Sequence, residues 1–410
     1  MRNTLAALLL FCALPALAGD KIIVFDPEVT PEAQARLVQS RGGSIVQEYP
    51  FINAALARFP GDVRTADISR APGVASAEDD EEIYWLASER PLALEAAQAA
   101  IGELLETAKA GPPAASTQPV ISPVYITSTA VDGKFERLPW SVVRLGASRV
   151  WGVTKGAGAR VAVLDSGVDC THPDLAPNCA PGYNVLEPGT PPHDATGHGT
   201  HVAGIIAGAL NWSGMAGLAP EAAILPVKVL NSSGTGKVSQ IIEGIRWAVG
   251  QKADIINLSL GAPQYSEAQA KAVKAARKAG VLVVCAAGNF AGDIGYPAAF
   301  EDAVAVTAID YSNKLASFSC RGPETDFTAP GVRIYSSYLE KSFYLANGTS
   351  QAAPHISGAA ALAVSLGVKG EAALREALKK ASFDLGLPPE QQGAGVPIIT
   401  RLVSDILAAK

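Results

Sequence analysis

Five short blocks rich in Val, Ile, Leu and Ala punctuate the chain after Trp140: Arg160–Leu164, Ala223–Val229, Ile255–Leu260, Val281–Ala286 and Ala303–Ile309. Each is too short for a stable helix and is apolar on both sides, so each reads as a strand buried on both faces. Longer segments follow or separate them: His198–Ala209, Val238–Val249, Ser266–Ala279 and Ser350–Leu366, which read as helices. Strands alternating with helices predict an α/β fold, a parallel sheet sandwiched by helices. In such sheets functional groups gather beyond the carboxyl ends of the strands, where Asp165 and Asn289 fall.

The N-terminal part has a different texture. Lys21–Phe25 reads as a strand, Thr30 as the cap of a helix beginning at Pro31 and running to about Arg41. Two short strands between Ser44 and Phe59 and a helix near Asp62–Ser69 complete a small α+β unit over residues 20–86. It ends in the acidic run Glu78–Glu82 and the apolar tail Ile83-Tyr84-Trp85-Leu86. In residues 87–137, Leu94, Ala97, Ile101, Leu104 and Leu105 share one face of a helix, and a Pro/Ser/Thr-rich stretch to about Thr129 reads as linker. Residues 138–410 form the large unit.

Arg2 followed by the apolar run Leu5–Leu14 and by Ala16-Leu17-Ala18 reads as a cleaved secretory signal over residues 1–18, too short to span a membrane. Export, to the extracellular space or a periplasm, permits disulfides. Four cysteines lie beyond the signal, of which Cys170 and Cys179 bracket a short loop suited to a bridge. Cys285 and Cys320 either pair or stay as buried thiols. The net charge of −6 sits entirely in residues 20–86, and no basic stripe suggests nucleic acid.

Three segments carry candidate chemistry. Asp165 ends a buried strand before Ser166-Gly167, His198 opens a small-residue helix in Gly197-His198-Gly199-Thr200-His201, and Ser350 stands at a helix entrance in Gly348-Thr349-Ser350-Gln351-Ala352-Ala353-Pro354-His355. Taken singly, a turn Asp, a structural His and a capping Ser would explain them. Together, in the order Asp, His, Ser, they resemble the subtilisin-like serine peptidases over roughly residues 138–400. The resemblance implies Ser350 as nucleophile, His198 as general base and then acid, and Asp165 as the group that orients the imidazole. Ala286-Ala287-Gly288-Asn289 resembles the family's strand-end segment, which makes the Asn289 amide an oxyanion donor beside the Ser350 N–H.

By the same resemblance, Ser259-Leu260-Gly261 pairs with substrate backbone as an added strand, and Gly234 to Lys237 forms the opposite rim. Ala286, Ala287, Gly288 and Gly295 would wall an apolar S1 pocket, and Val238, Ile241 and Leu260 would line S4. Lys237 on the rim would favour an acidic substrate residue. Residues 20–86 resemble the family's inhibitory propeptide. This implies a self-processing zymogen whose tail lies in the site like a product, with Leu86–Ala87 as the first bond cut. The expected partners are protein and peptide substrates and the chain's own propeptide, with no nucleic acid and no membrane, in a monomer.

The sequence departs from the family at Gln351, where Met is frequent, and at Ala353, where Ser or Thr is frequent. Neither change removes a catalytic atom, and activity is expected to resist peroxide because Gln351 cannot form a sulfoxide. Other chemistries fit poorly. His198 and His201 lack the four-residue spacing and the intervening Glu of a zinc helix. Gly156-Ala157-Gly158 precedes its strand, and Gly236-Lys237 lacks the flanks of a phosphate loop. No cofactor is required; Asp174, with Asn211 in a neighbouring loop, matches a position that ligates calcium in relatives, although Leu210 and Trp212 are poor ligands. The competing function is a catalytically silent scaffold, which would be expected to lack a triad residue.

Overall fold

The computed structural model describes residues 19–86, 126–131, 134–212 and 214–410. The leading apolar run and the helix expected around Leu94–Leu105 lie outside the described residues. Two compact units divide between Glu81 and Glu82.

In the first unit, β1 (Gly19–Phe25), α1 (Pro31–Ser40), β2 (Ser44–Tyr49), β3 (Ala54–Phe59), α2 (Thr65–Ser69) and β4 (Val74–Asp79) follow one another. The sheet is antiparallel in the order β2-β3-β1-β4. Thr30 caps α1 through Ala33 N, and Pro31 takes the first helical position, where its missing N–H costs nothing. Ile23, Phe25, Val38, Ala55, Phe59 and Ile68 close the core.

The second unit opens with β5 (Glu82–Tyr84) and, after an interval, a hairpin of β6 (Ile126–Val131) and β7 (Lys134–Pro139), followed by the short helix α3 (Trp140–Leu145). A linker to about Thr129 was the expectation here. Ile126–Val131 is a strand because Lys134–Pro139, which follows almost at once, supplies it with an antiparallel ladder partner. The central sheet comprises β8 (Arg160–Asp165), β9 (Tyr183–Asn184), β10 (Ala223–Lys228), β12 (Ile255–Leu258), β13 (Leu282–Ala286), β14 (Val304–Ile309) and β15 (Thr325–Pro330). The three-residue strand β11 (Thr235–Lys237) pairs instead with β5. Strand order is β15-β14-β13-β12-β8-β10-β9, with every pairing parallel.

Val161, Val163, Val284, Val304 and Val306 pack on one face against Val202, Ala203 and Ile206 of α4 (His198–Ala207). Ala352, Ile356 and Ala360 of a later helix, Thr349–Ser365, complete that layer. The alternate residues Ala162, Leu164 and Val283 are also fully buried, on the face contacted by α5 (Val238–Gly250) and α6 (Glu267–Lys278). The helix Thr349–Ser365 is α7; α8 (Glu371–Ala381) and, near the C-terminus, Ile399–Ala408 add to the first layer through Leu374, Leu378, Ile399 and Leu402. The mixed α/β fold is thus a seven-stranded parallel sheet with helices on both faces. Cys170 and Cys179 are bridged, with Cα atoms 5.9 Å apart, whereas Cys285 and Cys320 are buried thiols whose ionisation burial pushes up.

Candidate active site

Asp165 is the last residue of β8 and is wholly buried; His198 is the first of α4. Asp165 Oδ1 lies 2.7 Å from His198 Nδ1 and accepts Ser166 N at 2.7 Å. A carboxylate in that position fixes the proton on Nδ1 and leaves Nε2 of the neutral ring as an acceptor. Burial pushes the Asp165 carboxyl up, while the imidazole and the Ser166 N–H pull the other way. The approach of α4 to the strand end needs a glycine. A Cβ on Gly199 would sit 2.0 Å from Gly167 O and 3.1 Å from Asp165 Cβ.

Asp194 organises this corner. Its Oδ1 accepts from Ser166 Oγ (2.8 Å), Thr196 N (2.9 Å) and Gly197 N (3.0 Å), and its Oδ2 from Thr200 N (2.9 Å) and Thr200 Oγ1 (2.7 Å). The Ser166 hydroxyl in turn accepts from Gly199 N at 3.1 Å. One carboxylate therefore satisfies open N–H groups at the start of α4 and ties them to the residue after Asp165. Sequence reasoning missed it. The signal was an acid placed just ahead of Thr196-Gly197-His198, three residues before the Gly197 cap of the helix.

Ser350 stands in the first turn of α7 and is nearly buried. Pro354 has no N–H, so the carbonyl four residues earlier, that of Ser350, loses its helical donor. Ser259 Oγ takes that place at 2.8 Å, and the Ser350 hydroxyl donates back to Ser259 O at 3.0 Å. Asn289 Oδ1 accepts from Thr349 N (2.8 Å) and Thr349 Oγ1 (2.9 Å), and Thr349 Oγ1 accepts from Gly288 N (3.0 Å). With Oδ1 engaged by donors, the Asn289 NH2 is the end left to donate.

Leu260, Gly261, Ala286, Gly288, Asn289 and Ser350 line one cleft together with Phe290 and Thr349. Gly234 and His198 line a second with Thr196, Tyr338, Tyr344 and Gln351. Leu86 borders both. Ser259 lies behind Ser350. Ala287 and Gly295 are bonded to each other, Gly295 N to Ala287 O at 2.9 Å, and line neither cleft; nor do Val238 and Ile241, which are buried in the first turns of α5. Phe290 was not foreseen as a wall.

The tail runs along these clefts. Glu82–Tyr84 pairs antiparallel with Thr235–Lys237, placing Glu82 opposite Lys237. Trp85 N donates to Gly234 O (3.1 Å), and Gly261 N donates to Trp85 O (3.2 Å). Glu82 Oε1 accepts from Asn231 Nδ2 at 2.7 Å.

His201 and Asp174 both hold neighbouring groups. His201 Nε2 lies 3.1 Å from both Ile334 O and Tyr344 O, which makes it a donor holding backbone. Asp174 accepts from Asn211 Nδ2 (2.8 Å) and Met215 N (2.9 Å), and Glu136 Oε2 accepts from Asn211 N (3.1 Å) and Trp212 N (2.6 Å). Burial, and then the Asp174 charge, push the Glu136 carboxyl up. N–H donors meet Asp174 and Glu136 Oε2, while Glu136 Oε1 is buried without a hydrogen-bond partner.

On a parallel α/β sheet the structure thus sets a carboxylate at a strand end against an imidazole, and a serine at a helix entrance beside an oriented amide. Residues 156–395 match the model of the subtilase family, and the chain belongs to that family. It is similar to "Alkaline protease" of Alkalihalobacillus alcalophilus, 46% identical over 60% of this chain and 64% of the relative. "Subtilisin Savinase" of Lederbergia lenta is 46% identical over 55% of this chain and 84% of its own. "Subtilisin E" of Bacillus subtilis (strain 168) is 34% identical over 80% and 75%. The match thus spans just under two thirds of the alkaline protease.

Proposed function

We propose that this chain is a secreted endopeptidase, made as a self-processing precursor, that hydrolyses peptide bonds with Ser350, His198 and Asp165. The observation that carries the reading is the tail. Glu82–Trp85 joins the rim Thr235–Lys237 as an added strand and takes Gly261 N–H from the other side, in the cleft that Ser350 and Asn289 line. A peptide substrate held the same way presents its carbonyl to Ser350.

In this reading the Ser350 hydroxyl turns from Ser259 O toward His198 Nε2, which takes its proton as the oxygen attacks. Asp165 holds the imidazole and stabilises its protonated form. The Asn289 NH2 and the Ser350 N–H take up the negative charge on the carbonyl oxygen. His198 then gives its proton to the leaving amine, and water repeats the sequence to release the acyl group. Asp165, His198, Ser350 and Asn289 supply all of this, and no cofactor takes part. The first unit acts as the intramolecular inhibitor, proteins and peptides are the substrates, and the enzyme works as a monomer outside the cytoplasm. The Arg2–Ala18 signal pattern supports export; among the described residues no helix is long and apolar enough to cross a membrane.

A Ser350→Ala variant tests the reading. It is expected to lose casein hydrolysis and to accumulate the uncleaved precursor; unchanged hydrolysis or processing would instead favour a silent scaffold. N-terminal sequencing of the first processed form is expected to begin at Ala87, and an end upstream of Glu82 would remove the tail from the mechanism.

A further inference from the structure

Within the tail the residues are held very unequally. Tyr84 is 51% exposed, whereas Trp85 is 2% exposed. Trp85 is also bonded three times. Its N–H meets Gly234 O, its carbonyl meets Gly261 N, and its indole Nε1 donates to Gly236 O at 2.8 Å. Gly234 and Gly261 belong to opposite rims, so one residue bridges the cleft through its backbone while its side chain reaches a third carbonyl. A buried indole needs an acceptor for its single N–H, and a carbonyl fixed in a β-rim offers one without reorganisation.

We propose that the carbonyl of Gly236, with Gly234 and Gly261, forms an indole-recognition subsite, so that this peptidase prefers substrates with Trp at the position Trp85 occupies. The inference rests on the reading that the tail lies in the cleft as a substrate does, and it adds the side-chain chemistry the site selects. An isolated apolar pocket would accept Phe, Leu and Trp by size alone. The Gly236 oxygen distinguishes Trp from the others because they have no N–H to give it.

The test leaves the enzyme untouched. Peptides carrying the chain's own residues 82–90 are made with Trp, Phe, Leu or 1-methyltryptophan at position 85, and cleavage by the enzyme as isolated is followed by mass spectrometry. One neutral hydrogen bond corresponds to a preference of about three- to tenfold in kcat/KM for Trp over Phe. 1-Methyltryptophan keeps the rings but loses the donor, and is expected to fall at least as far. Equal kcat/KM for Trp and 1-methyltryptophan, with cleavage at the same bond, would overturn the indole subsite while leaving the tail reading intact. If the peptides are neither cleaved nor able to compete with casein, the tail reading fails and the subsite fails with it.

Discussion

Thr349 takes no part in bond making, yet it decides which end of the Asn289 amide faces the cleft. Its N–H and hydroxyl both point at Asn289 Oδ1, so the NH2 is turned outward. Thr349→Val keeps the shape and the N–H but removes the hydroxyl, and kcat is expected to fall by about tenfold with KM little changed, as for an interaction made mainly in the transition state. Asn289→Ala removes the donor itself, and a loss of about 10²–10³ in kcat is expected, a magnitude established on a member of this family. Steady-state kinetics on one peptide substrate reads both, and a loss for Thr349→Val appearing only in KM would refute the orienting role. The sequence named Asn289, Ser350, His198 and Asp165 because each sits in a distinctive local string. It left Asp194 and Thr349 unnamed because their roles come from neighbours: Asp194 acts through Ser166, 28 residues away, and Thr349 through Asn289, 60 residues away.

At the scale of elements, α7 and the segment after β12 depend on each other. Pro354 strips the Ser350 carbonyl of its helical donor, and Ser259 replaces it while itself accepting from Asn257 Nδ2 at 2.9 Å. Ser259→Ala is expected to leave that buried carbonyl unsatisfied, destabilising the fold by about 1–3 kcal/mol. Urea unfolding of Ser350→Ala with and without the change measures this free of self-digestion, and an unchanged midpoint would mean that the bond contributes nothing. The ladder stops at Leu258, two residues earlier than the apolar pattern suggests, which frees Gly261 N for the tail. Strands such as Arg160–Asp165 and Val304–Ile309 were legible because burial on both faces demands unbroken apolar runs. Thr325–Pro330 was not, since its Thr325, Asp326 and Thr328 mask the strand. Asp326 Oδ2 there accepts Ala305 N at 2.9 Å, and its Oδ1 pairs with Arg375 at 2.6 Å, so the polar residues are spent on neighbours.

At the scale of the whole molecule, acid sensitivity is concentrated where a histidine is buried inside α7. His355 is wholly buried in α7, its Nδ1 2.8 Å from Gln351 O, and burial depresses it from the usual 6.5 to about 3, with His201 adding to the depression. The unfolded chain binds a proton there below pH 6.5 while the folded chain does not, so this contribution to stability is full above pH 6.5. It is lost progressively as the pH falls toward 3, at about 1.4 kcal/mol per pH unit where the difference is complete. Asp165, Asp326 and Glu136, all pushed up by burial, act in the opposite sense, because each takes up its proton at a higher pH in the folded chain than in the unfolded one. A comparison within one background separates the two effects. With Ser350→Ala as parent, His355→Asn is expected to destabilise at pH 7 yet to flatten the decline in urea stability between pH 6.5 and 4. Parallel pH curves for the two proteins would show that His355 titrates alike in the folded and unfolded chains and that the acid limit of this fold lies elsewhere.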